Sequence, residues 1–357
     1  MKTTAAVLTE INRPLQIEEL KTSPLKKGQV LVQIAYSGIC RSQLNEIQGL
    51  KGEDKFLPHT LGHEGSGIVL ATGPGVTKVA PGDHAVLTWM KGSGQDAPST
   101  RYFRNDGSIV NSGAISTFLT HAVISENRLV PVAKEMPLQE AALLGCAVPT
   151  GAGIIKNTAQ LRPGQSVAVF GCGGIGLSAI LMADCVQKEA GRHGKEHPPS
   201  QIIALDISEA KLSLAVGLGA THTVNVARLD AVKSVMEITA GLGVDFAVEA
   251  AGIPTAMEAA FRSVRANGGL CILAGNLPQG MTISIDPFEL IKGKRIVGSW
   301  GGQTDPDRDI QSYISLYSRG DLPIDKLHSL TYRLESVNEA LQEMRHTSIG
   351  RSMISFV

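Results

Sequence analysis

Apolar and polar positions change rhythm partway along the chain. Up to about residue 145 the apolar or alternating stretches are short and closed by Gly, Pro, Asn or Asp, as in Gln29 to Ala35, Gly67 to Ala71, His84 to Thr88 and Phe118 to Ser125. Such stretches between turn residues predict strands, and together they predict an all-β, barrel-like domain. From about Pro149 the compact apolar segments Ser166 to Phe170, Gln201 to Leu205, Asp245 to Glu249 and Leu270 to Ala274 are separated by segments with helical spacing, such as Lys211 to Leu218 and Thr255 to Val264. Strands alternating with helices predict parallel βαβ units and an open, doubly wound sheet. After about Gly298 the alternation stops, and a helix over Leu334 to Met344 precedes a last strand over Ser352 to Val357. The polar segment Lys188 to Ser200 reads as an exposed loop. His193 and His197 lie four apart in it, but the nearby Gly and Pro residues disfavour the helix that a metal pair would need.

At 357 residues the chain exceeds what one hydrophobic core usually supports, so two domains are expected. Its 39 glycines are spread along the sequence, which suits many tight turns and close backbone approaches rather than a low-complexity tract. Thirty-three basic and 33 acidic side chains balance, which argues against nucleic acid or an anionic membrane as main partner. Met1 to Pro14 lacks the apolar core of a signal peptide, and no apolar run approaches the ~18 residues of a membrane span. Five widely spaced cysteines without a CxxC pair read as reduced thiols, and a cytoplasmic location is expected.

One glycine cluster carries chemistry because of where it sits. Gly171-Cys172-Gly173-Gly174-Ile175-Gly176 matches GxGxxG directly between a predicted strand and a predicted helix. There Gly171 permits the tight turn, Gly173 lets the backbone approach a pyrophosphate, and Gly176 lets helix and strand pack closely. Asp206 closes the next strand, 30 residues after Gly176 rather than ~20, an excess that the 188–200 insertion explains. A carboxylate there accepts from a ribose and repels a 2′-phosphate, so NAD(H) is expected over NADP(H). The competing reading makes Asp206 a helix N-cap.

SGICRSQ at 37–43, GHEGSG at 62–67, LLGCAVPTG at 143–151, the glycine motif and GRSMISF at 350–356 together resemble the zinc-containing medium-chain dehydrogenases, the family of the alcohol, sorbitol and threonine dehydrogenases. The resemblance implies a GroES-like, β-rich catalytic domain over 1–148 and 299–357, with a Rossmann domain inserted over 149–298. It implies Cys40, His63 and Cys146 as ligands of one catalytic zinc, with Glu64 able to approach the metal. Two thiolates and an imidazole leave a fourth tetrahedral position open, the pattern of a catalytic site. Zinc there would lower the proton affinity of an alcohol so that hydride can pass to NAD. By the same resemblance Ser42 hydrogen-bonds the alcohol, Arg41 and Arg351 hold the cofactor pyrophosphate, and Thr150 and Ile175 lie near the nicotinamide. Lys211 is implied as a ribose contact, and Trp89 as a wall of a substrate pocket that also takes in Asn45. A homodimer or homotetramer is implied too.

The sequence also departs from the family. Lys91 to Phe118 holds no cysteine, so the second, structural zinc of many relatives is not expected. Gln43 stands where the family has an aspartate that orients the zinc-bound histidine; its amide is expected to accept the imidazole N–H. Asn45 replaces a relay histidine and cannot titrate. Because Gln43 and Asn45 add polarity, the expected substrate is a polar secondary alcohol, a polyol or a sugar derivative. A zinc-free quinone or enone reductase on the same fold, and a non-catalytic NAD-binding protein, are the alternatives.

Overall fold

The computed structural model describes residues 1–192, 200–346 and 349–357, without the side chains of 190–192 and 346. It divides into two units.

The first unit comprises Met1–Cys146, Asp305–Ser315 and His328–Val357. Lys2–Leu8, Gln16–Thr22, Arg101–Phe103, Ile109–Asn111 and His59–Thr60 close a barrel. A seven-stranded sheet runs Leu129–Val132, His84–Thr88, Glu64–Thr72, Gln29–Gly38, Arg351–Ser355, His328–Tyr332, with His121–Ser125 also paired to Gln29–Gly38. Val30, Val32 and Ile34 alternate along the central strand and pack with Leu87, Ile124 and Tyr102. Burial of each such aliphatic side chain contributes roughly 1.5–3 kcal/mol, which is what holds the strand in register. Register shifts against Glu64–Thr72 after Leu31 and after Ile34 mark bulge-like irregularities in this pairing.

The second unit comprises Ala147–Thr304 and Leu316–Leu327. Its six parallel strands run in the order His222–Asn225, Ile202–Asp206, Val167–Phe170, Phe246–Glu249, Leu270–Leu273, Arg295–Gly298. This is the doubly wound arrangement, and the strand order reverses beside Val167–Phe170, where such sheets bind ligands. The inner strands are buried on both faces, so they read as continuous apolar runs. Ser208 and Asp230 cap the helices Glu209–Gly217 and Ala231–Ile238, and Pro254 opens Pro254–Ser263. Among the described residues no helix is long and apolar enough to cross a membrane.

Four features differ from the expectations. The helix after the glycine motif runs on to Arg192, beyond Lys188 where a loop was expected, and His193 and His197 lie outside the described residues. His222–Asn225 and Arg295–Gly298, the two edge strands, gave no sequence signal because few of their side chains are buried. The helix Pro306–Ser318 was missed because its polar sequence buries little besides Ile310 and Tyr313. Residues 147–148, 299–304 and 316–327, expected in the first domain, fall with the second unit; in the last of these Leu322, Ile324 and Leu327 are buried and the 324–327 turn packs on the helix Gly174–Arg192.

The cysteine-free segment after Lys91 is ordered by a carboxylate. Glu126 is fully buried and accepts from the N–H groups of Thr77 at 2.6 Å, Lys78 at 2.8 Å and Gln95 at 2.6 Å. Asp307 takes the Ser93 N–H at 2.6 Å, and Ser125 takes the Ala97 N–H at 2.8 Å. Burial pushes the Glu126 carboxyl up, but the Gln95, Thr77 and Lys78 donors outweigh it and hold it below the ordinary carboxylate value. A depressed pKa means that the ionised carboxylate stabilises the fold above about pH 4.3, and that this stability is lost as pH falls further. Glu126→Gln turns an amide donor toward backbone donors and should cost about 1–3 kcal/mol at pH 7. Thermal unfolding of both proteins across pH 3.5–7 tests this: the difference should be largest at neutral pH and shrink in acid, and equal midpoints at pH 7 would refute it.

Candidate functional site

Sheet register gathers the first unit's candidate residues at one end of four strands. Ser37 pairs with Gly65, Glu64 with Thr88, and Gly38 with Met353. Cys40, His63, Glu64, Trp89 and Arg351 all lie within three residues of those pairs, so antiparallel pairing delivers them to the same edge. Cys40 then caps the helix Arg41–Ile47. His63 follows Gly62, whose φ of +93° and contact with Thr117 and Phe118 admit no side chain: a Cβ there would sit 2.3 Å from Thr117 Oγ1. Cys146 arrives after the helix Leu138–Leu143. The ligand atoms of Cys40, His63 and Cys146 lie within 4.8 Å of one another, and Cys146 is buried.

The two sulfurs share one readily formed charge. The Cys146 S–H donates to Cys40 and, with the Arg351 charge and His63, outweighs burial, so the Cys40 thiol ionises well below its ordinary value. Cys146 is pushed up by that same hydrogen bond, by burial and by the Cys40 charge. A cation among these atoms relieves that repulsion, so the donor set fits a thiophilic divalent metal.

Glu64 and Arg351 form a buried ion pair. Arg351 Nε donates to Glu64 Oε1 at 3.0 Å and Nη2 to Oε2 at 2.5 Å, with Glu64 0% and Arg351 7% exposed. The guanidinium expected on a pyrophosphate therefore has two donors on Glu64, and both Glu64 oxygens face it.

Gln43 reverses the expected hydrogen bond. Its Oε1 takes the Cys40 N–H at 2.6 Å, so Nε2 is the atom that faces His63 Nδ1, at 2.8 Å. The amide donates and the imidazole accepts, because helix capping has claimed the oxygen; holding a metal through Nε2 would move the ring hydrogen to Nδ1 and oblige Gln43 to give up this donation. Ser42 Oγ is buried and has no hydrogen-bond partner among the described residues. Asn45 and Trp89 are half-buried, and Arg41 is exposed.

In the second unit the glycine motif has the expected form. Gly171 has φ +96°, and a Cβ there would meet Ala251 N at 2.8 Å; at Gly176 a Cβ would meet Gly171 O at 1.9 Å. Gly173 has open space where its Cβ would be, as a site of close backbone approach requires. Gly174 starts the helix and half-buried Ile175 follows. Asp206 Oδ2 accepts the Cys172 N–H at 2.7 Å, and Oδ1 accepts the Ser208 N–H at 3.0 Å. The helix cap is Ser208, not Asp206. Half-buried Lys211 lies close enough for its charge to be felt at Cys172, whose thiol burial and the Asp206 charge push up. Thr150 is buried, and its hydroxyl has no partner among the described residues.

Sequence reasoning missed Glu249. It ends the strand beside Phe170, is fully buried, and accepts from Ala251 N at 2.9 Å and Gly252 N at 2.7 Å, shaping the turn on which Gly171 packs. Burial pushes its carboxyl up against those donors. The signal available was an acidic residue closing an apolar strand, as at Asp206.

Comparison with known proteins agrees with this arrangement. The family model described as alcohol dehydrogenase GroES-like domain matches residues 26–134, and that described as zinc-binding dehydrogenase matches 199–319. The chain is similar to the S-(hydroxymethyl)glutathione dehydrogenase of Synechocystis, 33% identical over 382 aligned residues that span 100% of each. Among solved structures it is similar to benzyl alcohol dehydrogenase from Acinetobacter calcoaceticus, with a TM-score of 0.87, 30% identity and 100% of each chain covered. An alcohol dehydrogenase zinc-binding domain protein from Burkholderia ambifaria gives 0.88 and 30%, over 99% of each.

The reversed Gln43 bond leads to a prediction. A carboxylate in its place could take both the Cys40 N–H and an imidazole Nδ1–H, leaving the Nε2 lone pair for a metal. Gln43→Glu should therefore hold zinc about tenfold more tightly in competition with a chromogenic chelator, within the range that such neighbours of metal ligands produce. Equal or weaker retention would contradict it.

Proposed function

This chain belongs to the zinc-containing medium-chain alcohol dehydrogenases, enzymes that move a hydride between an alcohol and NAD, and from that premise we propose that Cys40, His63 and Cys146 hold its catalytic zinc. The observation that carries the proposal is the convergence of two sulfurs and one imidazole within 4.8 Å. Three protein ligands leave one position open for substrate. When bound, zinc supplies Lewis acidity that lowers the proton affinity of an alcohol.

The chain's own residues do the rest. Ser42, with a buried hydroxyl lacking any partner among the described residues, accepts a hydrogen bond from the alcohol and begins the route by which its proton is relayed out to solvent. Asn45 orients but cannot titrate. Glu64, pinned by Arg351, sets the charge around the thiolates. Gly171, Gly173, Gly174 and Gly176 admit the pyrophosphate at a helix N-terminus. Asp206 and Lys211 address the adenosine ribose, and Thr150 and Ile175 address the nicotinamide; the spare Thr150 hydroxyl supports that placement.

Gln43 borders a cavity beside His63, but it is fully buried and both ends of its amide are engaged with Cys40 and His63 rather than free for a substrate. Support for a polar secondary alcohol then rests on Asn45. Relatives named for S-(hydroxymethyl)glutathione and benzyl alcohol add primary alcohols to the candidate substrates. A homodimer or homotetramer is supported by the parallel sheet ending on Arg295–Gly298, beside exposed Phe288, Ile291 and Trp300. Such an apolar edge fits a second copy. The cysteines are all free thiols, in keeping with a reducing, cytoplasmic setting.

One zinc per chain should survive exhaustive dialysis, and Cys40→Ser should lose both that zinc and NAD-linked alcohol oxidation. Elemental analysis showing two retained zincs, or turnover by the zinc-free variant, would defeat the assignment. Cofactor choice is tested separately. Asp206 should give a higher kcat/KM with NAD than with NADP, and Asp206→Ala should narrow the gap by removing repulsion of the 2′-phosphate. A wild-type preference for NADP would refute this role.

A further inference from the structure

A second group of potential ligands lies outside the cysteine site. Glu46, on the helix Arg41–Ile47, Asp54, on the following turn, and His59, which opens the short barrel strand, bring one carboxylate oxygen each and one imidazole nitrogen within 4.8 Å of one another. They line a cavity of about 450 Å³ whose walls also include Asn111, Ser112 and, on the side of the cysteine site, Gln43 and His63.

Each of the three is already oriented from outside the group. His59 Nδ1 faces the Thr60 carbonyl at 3.0 Å, an acceptor only, so Nδ1 keeps its hydrogen and Nε2 is the nitrogen turned toward the carboxylates. Asp54 Oδ1 accepts the Phe56 N–H at 2.9 Å, leaving Oδ2 to face His59 Nε2 at 2.8 Å. Glu46 Oε2 pairs with Lys51 at 2.8 Å, leaving Oε1 to face Nε2 at 3.8 Å. The three side chains therefore converge on a single region, which either a proton on Nε2 donating to Asp54 Oδ2 or a cation in that proton's place can occupy. A histidine whose other nitrogen is held by a carbonyl, beside carboxylates held by their own donors, is the arrangement of a prepared metal site.

We propose that Glu46, Asp54 and His59 form an exchangeable divalent-cation site, separate from Cys40, His63 and Cys146 and selective for harder ions such as Mn2+. One nitrogen and two oxygens, without a thiolate, suit such an ion, and the cavity leaves room for water to complete its coordination. The Lys51 pair is half-exposed and weak, so it moderates the affinity without closing the site. Position suggests the consequence. Glu46 rides on the helix that Cys40 caps, and His59 begins the strand that leads over Gly62 to His63, so a bound cation ties together the two segments that carry those residues.

The test is a Mn2+ titration of the dialysed, zinc-containing full-length protein, reading the free-ion signal by electron paramagnetic resonance and the zinc content in parallel. We expect one Mn2+ bound per chain with zinc unchanged, and an affinity about tenfold or more lower in both Glu46→Gln and Asp54→Asn. A free-ion signal that is undiminished throughout, or binding that is equal in wild type and variants, would overturn the site. Should Asp54→Asn fail to fold, Glu46→Gln decides, since its side chain is partly exposed on a helix. The cysteines take no part, so loss of zinc and loss of Mn2+ binding are separate failures.

Discussion

The buried ion pair between Glu64 and Arg351 ties together the part of the first unit on which the candidate site is built. Their strands both flank Gln29–Gly38, and the guanidinium fork spans the sheet end on which Cys40 emerges. Neither charge could remain there alone, because removing one partner of a buried pair costs on the order of 3–5 kcal/mol. Register and charge therefore support each other. The strands must pair as they do for the fork to close, and the closed fork keeps the Arg351 charge where it favours the Cys40 thiolate.

Buried carboxylates do comparable work elsewhere. Glu126 gathers three backbone donors and orders a segment in which many relatives use cysteines and a metal. Glu249 gathers two donors and shapes the turn behind Gly171. Asp206 braces the glycine loop through the Cys172 N–H as well as standing at the strand end. In each case several N–H groups concentrate on one anion in a low-dielectric setting, where charge-assisted hydrogen bonds are stronger than neutral ones. Loops held this way are stiff, and stiff loops keep ligands and glycines within the narrow tolerances that metal and dinucleotide binding require.

Gln43 shows how such commitments redirect a single substitution. Where an aspartate would leave an oxygen for the imidazole, the longer amide reaches back to the Cys40 N–H and offers the histidine its nitrogen. Residue type alone allowed either polarity. The outcome depended on a helix end that needed an acceptor.

The sequence by itself determined the two kinds of architecture, the strand–loop–helix around Gly171 to Gly176 and Asp206 at the next strand end, and through the family resemblance it pointed to Cys40, His63 and Cys146. Those features are written in local periodicity, in glycines that only particular turns tolerate, and in motifs a few residues long. The edge strands His222–Asn225 and Arg295–Gly298 and the helix Pro306–Ser318 were illegible because they bury too little for apolar spacing to mark them. Only the tertiary structure decided that Arg351 grips Glu64, that Glu126 gathers the Thr77, Lys78 and Gln95 N–H groups, that Gln43 donates rather than accepts, and that Glu46, Asp54 and His59 meet in one cavity. The reason is physical. Strand register and side-chain hydrogen bonds join residues far apart in the chain, and their partners are chosen by which donors and acceptors folding leaves unpaired, a quantity that no local window of sequence contains.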